Sequence, residues 1–75
     1  MDKKEFLATI AEQFEDTDPA EIKYDTIFHN LEEWSSLIGM SLIAMAKVNY
    51  NKSITGEELK NCVTIEDIYN LIKNK

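Results

Sequence analysis

Ser35 and Ser36 stand directly before a mostly apolar stretch that runs from Leu37 to Tyr50. A serine at the start of a helix offers a side-chain oxygen to a backbone N–H that has no partner within the helix. The same helix end favours a phosphate, because the unpaired donors and the macrodipole both attract negative charge. A phosphodiester on the Ser36 hydroxyl would therefore sit in a favourable field. A serine hydroxyl is a weak nucleophile without an adjacent base, and none stands beside Ser36 in the sequence, so activation would have to come from another protein. The competing reading is that one of the two serines only caps a structural helix.

Other reactive residue types form weaker patterns. Asp16 and Asp18 resemble the start of a calcium loop, but such a loop would need glycine where Glu21 stands and a bidentate glutamate where Ile27 stands. His29 with Glu32 or Glu33 could share a helical face, yet no strong ligand motif surrounds them, and a solvated loop histidine is the simpler expectation. A hydrolase built from Ser36, His29 and an aspartate lacks the Gly-x-Ser-x-Gly elbow. Cys62 has no second cysteine to pair with and lies next to Val63 between two predicted helices, a position that suits core packing. No catalytic or metal-binding residue is assigned, and the chain reads as a non-enzyme.

Several elements must position Ser36. Phe6, Leu7, Ile10, Ala11 and Phe14 recur at spacings of three and four, which predicts an amphipathic first helix over residues 2–15. Thr17, Asp18 and Pro19 stop it near Glu15 or Asp16. From Asp16 to Trp34 no period is sustained, although Ile22, Tyr24, Ile27, Phe28, Leu31 and Trp34 supply groups to bury, so a long packed connection is expected, with short helical turns around Pro19 to Ile22. The second helix is predicted from Ser36 to about Tyr50, with Leu37, Met40, Ala44 and Val48 as one buried stripe and Ile38, Leu42 and Met45 as another. Gly39 inside it costs roughly 1 kcal/mol relative to alanine and leaves room for close helix packing or for a ligand arm. Thr55 with Glu58, and Thr64 with Asp67, have capping-box spacing. They predict a short third helix to about Cys62 and a fourth with Ile65, Ile68, Tyr69 and Ile72 on one face.

With those elements in place, Trp34-Ser35-Ser36-Leu37, together with Met40 and Leu42 downstream, resembles the Asp-Ser-Leu signature of acyl carrier proteins. The likeness extends over the whole chain in helix order, the long first connection and the short helix before the last. It implies an all-α, acyl-carrier-like four-helix bundle of three main helices, one short third helix and a long first loop, as a single domain over residues 1–75. It further implies that Ser36 carries a 4'-phosphopantetheine arm donated by coenzyme A and attached by a phosphopantetheinyl transferase. Acyl groups would ride as thioesters on the arm and pass to acyl-transferring, chain-elongating or ligase enzymes of fatty-acid, polyketide or related biosynthesis. The family usually has aspartate before the serine, where this chain has Ser35, which can cap a helix but supplies no charge. A peptidyl or aminoacyl carrier, or an unmodified interaction module of the same fold, are the alternatives.

Composition narrows the partners. The net charge is −6, from 14 acids against 8 Lys and Arg, which disfavours nucleic acid and anionic membrane surfaces. The acids are unevenly placed. Residues 12–33 hold eight of them against Lys23, while residues 37–56 hold none and carry Lys47 and Lys52. Familiar fatty-acid carriers present an acidic second helix to basic enzyme patches, so partners of this chain are expected to read an acidic connection beside an apolar second helix. The lone cysteine, the absence of a signal pattern and the lack of an apolar run near the roughly 20 residues needed to span a bilayer lead to the expectation of a cytoplasmic protein without membrane insertion. Nothing in the sequence demands more than a monomer.

Overall fold

The computed structural model describes residues 1–75 and places them in four α-helices with no strands: α1 (Lys3–Gln13), α2 (Ser36–Tyr50), α3 (Gly56–Lys60) and α4 (Ile65–Lys73). Two 3-10 turns, Pro19–Glu21 and Phe28–Asn30, lie in the long connection between α1 and α2. This is the expected all-α four-helix bundle. Its general shape agrees with a carrier-like fold.

Side-chain caps decide most helix ends. The Asp2 carboxylate opens α1 by accepting the N–H groups of Lys4 and Glu5 at 2.8 and 3.3 Å. Thr55 with Glu58 and Thr64 with Asp67 form the two reciprocal capping boxes that their spacing predicts, opening α3 and α4. At the far end of α2, Asn51 adopts the left-handed conformation with φ 56°. There the Lys52 N–H donates to the Ala46 carbonyl at 3.1 Å, closing the last turn.

The first helix ends earlier than its apolar period suggests, at Gln13 instead of Glu15 or Asp16. The cause lies 17 residues away in sequence. Glu33 Oε1 accepts the Asp16 N–H at 3.1 Å and the Thr17 hydroxyl at 2.6 Å, so the Asp16 N–H is taken before the helix can reach it. Phe14 turns out of the helix, yet its ring stays fully buried.

One core joins all four helices and the connection. Phe6 and Ile10 of α1, Leu42 and Ala46 of α2, Ile65, Ile68 and Ile72 of α4, and Phe28 of the connection are each wholly buried. Leu59 brings in the short α3, and Cys62 is buried just past it, as expected. Phe6 meets Tyr69 edge-on at 5.3 Å between ring centroids, and the Tyr69 hydroxyl donates to the Met1 carbonyl at 2.8 Å. The long connection is held by backbone as well as side chains. Its Tyr24 and Thr26 carbonyls accept the N–H groups of Glu66 and Ile65, two donors that the first turn of α4 cannot satisfy itself. Ile27 and Thr64 form an isolated antiparallel bridge there.

The second helix corrects one expectation. Leu42, Met45, Ala46 and Gly39 face the core, but Leu37, Met40, Ala44 and Val48 do not form a buried stripe. Leu37, Met40 and Val48 are 73%, 66% and 81% exposed. The helix is apolar on nearly every side, and the bundle has neighbours for only part of its circumference.

Candidate functional site

The approach to α2 is built as a series of hydrogen-bonded turns. The Leu31 N–H donates to Phe28 O at 3.2 Å and the Trp34 N–H to Leu31 O at 3.0 Å. Phe28 is the buried pin of this segment. The Trp34 ring stands edge-on to Phe28 at 5.1 Å and to His29 at 4.8 Å between centroids. Glu33, engaged with Asp16 and Thr17, ties the residue before Trp34 back to the end of α1. The chain therefore reaches Ser35 from a fixed direction.

At the helix end the two serines take different roles. Ser35 is the N-cap, in extended conformation, and its hydroxyl oxygen accepts the Ile38 N–H over a long 3.4 Å. Ser36 is the first residue of α2 and is exposed. The capping duty thus falls on Ser35, and the Ser36 hydroxyl is left to solvent. The N–H groups of the first turn, which α-helical geometry leaves without partners inside the helix, lie next to it.

Ser36 also lies on the wall of an open cleft of about 500 Å³, within the rough 300–1,000 Å³ span of small-ligand sites. Trp34, Met40, Ile43 and Leu59 give the cleft an apolar lining, with Gly39 between them and His29 and Lys60 as polar members. Gly39 is wide enough for a methyl group. A Cβ there would lie 3.5 Å from the Trp34 ring and 3.7 Å from Leu59, ordinary contact distances. The glycine leaves extra room in the cleft wall where no close backbone contact requires it.

The structure thus brings together Ser36, Trp34, Gly39 and Met40, all singled out in the sequence. It adds His29, Ile43, Leu59 and Lys60, which sequence reading did not assign to a site. A signal for part of this set exists in the sequence. Ser36, Gly39, Met40 and Ile43 are spaced three to four residues apart and so share a face of α2. His29 is not the solvated loop side chain expected. It is half-buried between the cleft and the rings of Phe28 and Trp34.

Elsewhere, the acids of the connection gather around a second hollow of about 370 Å³ that includes Asp16, Glu21, Glu32 and Glu33. No group of three or more His, Cys, Asp or Glu side chains is placed to hold a metal ion. Cys62 packs into the core and its thiol contacts the Glu58 carbonyl at 3.5 Å. Burial pushes this thiol above its ordinary pKa, and the nearby carboxylates of Asp67 and Glu58 add to the effect. No helix is long and apolar enough to cross a membrane.

No protein-family model matches the chain, and no curated protein or solved structure matches it. The fold and the geometry around Ser36 are therefore the basis for a functional reading.

Proposed function

We propose that this protein is an acyl carrier, with 4'-phosphopantetheine joined to Ser36 and acyl groups held as thioesters on the arm. The observation that carries the reading is the combination at one end of α2: an exposed serine hydroxyl, relieved of capping by Ser35, on the wall of an apolar cleft. The hydroxyl is accessible for attachment and the adjoining first turn favours the phosphodiester. The cleft offers apolar surface to a hydrocarbon cargo, which favours an acyl over an aminoacyl load.

In the attachment step, Ser36 Oγ attacks the β-phosphorus of coenzyme A. A new P–O bond forms, the phosphoanhydride bond breaks, and 3',5'-adenosine bisphosphate leaves. The serine proton passes to a base of the phosphopantetheinyl transferase, which also supplies magnesium. His29 shares the cleft lining with Ser36, but no hydrogen bond joins the two side chains in the structure, so the carrier's part is to present the hydroxyl. The protein serves as a substrate and shuttle for acyl-transferring, chain-elongating or ligase enzymes, and is not itself the catalyst.

Intact-mass measurement tests this. The protein is incubated with coenzyme A, magnesium and a broad-specificity phosphopantetheinyl transferase, with Ser36→Ala and Ser35→Ala in parallel. Gain of one phosphopantetheine by the wild type and Ser35→Ala, and none by Ser36→Ala, is the expected result. No gain in the wild type, while a control carrier is modified normally, would favour an unmodified interaction module. Ser35, neutral where an aspartate is usual in the resembling family, is the feature that favours that second reading.

A further inference from the structure

Glu32 and Glu33 are adjacent, identical residues in the turn that delivers the chain to Ser35 and Ser36, and only one of them is tied down. Glu33 is half-buried, and its Oε1 accepts both the Asp16 N–H at 3.1 Å and the Thr17 hydroxyl at 2.6 Å. Glu32 is exposed and bonds neither group. A single carboxylate oxygen that takes donors 17 and 16 residues away acts as a crosslink, and hydrogen bonds to a charged acceptor are stronger than neutral ones. It joins the residues just past α1 to the turn that ends at Ser36, with only Trp34 and Ser35 between the latch and the hydroxyl.

The start of α2 is otherwise lightly held. Its own cap is the long 3.4 Å bond from the Ile38 N–H to Ser35, and it has no reciprocal capping box of the kind that opens α3 and α4. Trp34 packs against Phe28, and its N–H donates to the Leu31 carbonyl. Glu33 adds a polar tie to a different part of the molecule. With that tie broken, any slack in the turn passes directly to Ser35 and Ser36.

We infer that Glu33 is a positioning residue for arm attachment: by holding Asp16 and Thr17 it fixes the helix start in the geometry that presents Ser36. The inference rests on the carrier reading and adds to it a residue that does not line the cleft. Glu33 exchanges no proton and forms no bond in the reaction. Without the latch the serine segment samples more positions, and a transferase that captures one of them meets a smaller competent fraction. That cost falls on the KM for the carrier, while kcat, set once the hydroxyl is in place, is spared.

The test measures attachment rates by intact mass over a range of carrier concentrations for the wild type, Glu33→Ala, Glu33→Gln, Thr17→Val and Glu32→Ala. Urea denaturation fixes conditions in which every variant is folded. Glu33→Ala is expected to raise KM about five- to tenfold, the bias that one or two such hydrogen bonds give, and to leave kcat within about twofold. Thr17→Val removes one of the two donors and should raise KM about two- to threefold. Glu33→Gln keeps a carbonyl oxygen that accepts both donors and should bring KM back to within about twofold of the wild type. Glu32→Ala removes the same charge without touching the latch and should leave both constants unchanged. In the unmodified proteins, amide exchange should quicken in Glu33→Ala at Trp34, Ile38 and Gly39, whose N–H groups are bonded at the approach to α2 and in its first turn, but not at Ile68 of α4.

A wild-type KM in Glu33→Ala, a loss confined to kcat, or unchanged exchange at the start of α2 would overturn the inference. Equal rises in KM for Glu33→Gln and Glu32→Ala would overturn it too, because the transferase would then be reading acidic charge. Faster exchange that extends to Ile68 would make Glu33 a general stabiliser instead. If the wild type is not modified while a control carrier is, the carrier reading fails and takes this role with it; if the wild type is modified normally and these differences are absent, only the role of Glu33 fails.

Discussion

Ser35 and Ser36 are chemically identical neighbours, yet helix geometry gives them opposite duties. Ser35 lies outside the helix in extended conformation and directs its oxygen to the Ile38 N–H, while Ser36 already has helical geometry and faces water. The two substitutions should therefore separate stability from modification. Ser35→Ala removes the cap and is expected to cost about 0.5–1 kcal/mol, the lower part of the range for capping serines, because its 3.4 Å bond is long. Ser36→Ala removes an exposed hydroxyl and should stay within about 0.5 kcal/mol of the wild type. Urea denaturation curves measure both, and a larger loss for Ser36→Ala would show that the caps had been assigned in the wrong order.

At the scale of the element, α2 is the helix on which the candidate site depends, and Gly39 is its weak point. The added methyl of Gly39→Ala meets Trp34 and Leu59 at ordinary contact distances, so the substitution should raise stability by about 0.8–1 kcal/mol through helix propensity alone. For a domain of this size that corresponds to roughly 4–8 °C in thermal midpoint, read by circular dichroism. The same methyl narrows the cleft beside Ser36. A fall in thermal midpoint would mean that the space around Gly39 is smaller than it looks.

The helices differ in how clearly their sequences announce them. Threonine followed three residues later by an acid opens both α3 and α4 because the capping box is a local device, complete within four residues. The end of α1 was not legible, since Glu33 terminates it from across a 17-residue separation. Nor was the orientation of α2. A helix with Leu37, Ile38, Met40, Leu42, Ile43, Ala44 and Met45 in succession has two apolar arcs, and its sequence alone does not say which of them the other helices cover. The position of Ser36 was readable from the helix start, but the cleft beside it was not, because His29 comes from the first connection and Leu59 and Lys60 from α3.

Across the whole molecule, the last two helix starts depend on carboxylates held in their charged form. Backbone hydrogen bonds from Thr64 and then Val63 hold Asp67 below the usual carboxylate range. Glu58 is lowered first by its hydrogen bond with Lys75 and then by the Thr55 backbone. A carboxyl whose pKa is lower when folded contributes stability above its unfolded value, about 3.9 for Asp and 4.3 for Glu, and loses it as pH falls through the folded value. Urea midpoints should therefore decline between about pH 5 and pH 3. Asp67→Asn with Glu58→Gln should flatten that decline, and an unchanged slope in the double variant would place the acid sensitivity in other groups.

The burial of Cys62 has a practical counterpart. Its sulfur is enclosed by the core, and its thiol is held protonated at neutral pH by burial and nearby acids. Thiol-directed reagents are therefore expected to label the folded chain slowly, which mass measurement after reagent exposure checks. If a pantetheine arm is attached, its terminal sulfhydryl becomes the reporter group on a slowly reacting background, so that a fluorophore, spin label or crosslinker can be installed at the tip of the arm without first mutating the protein.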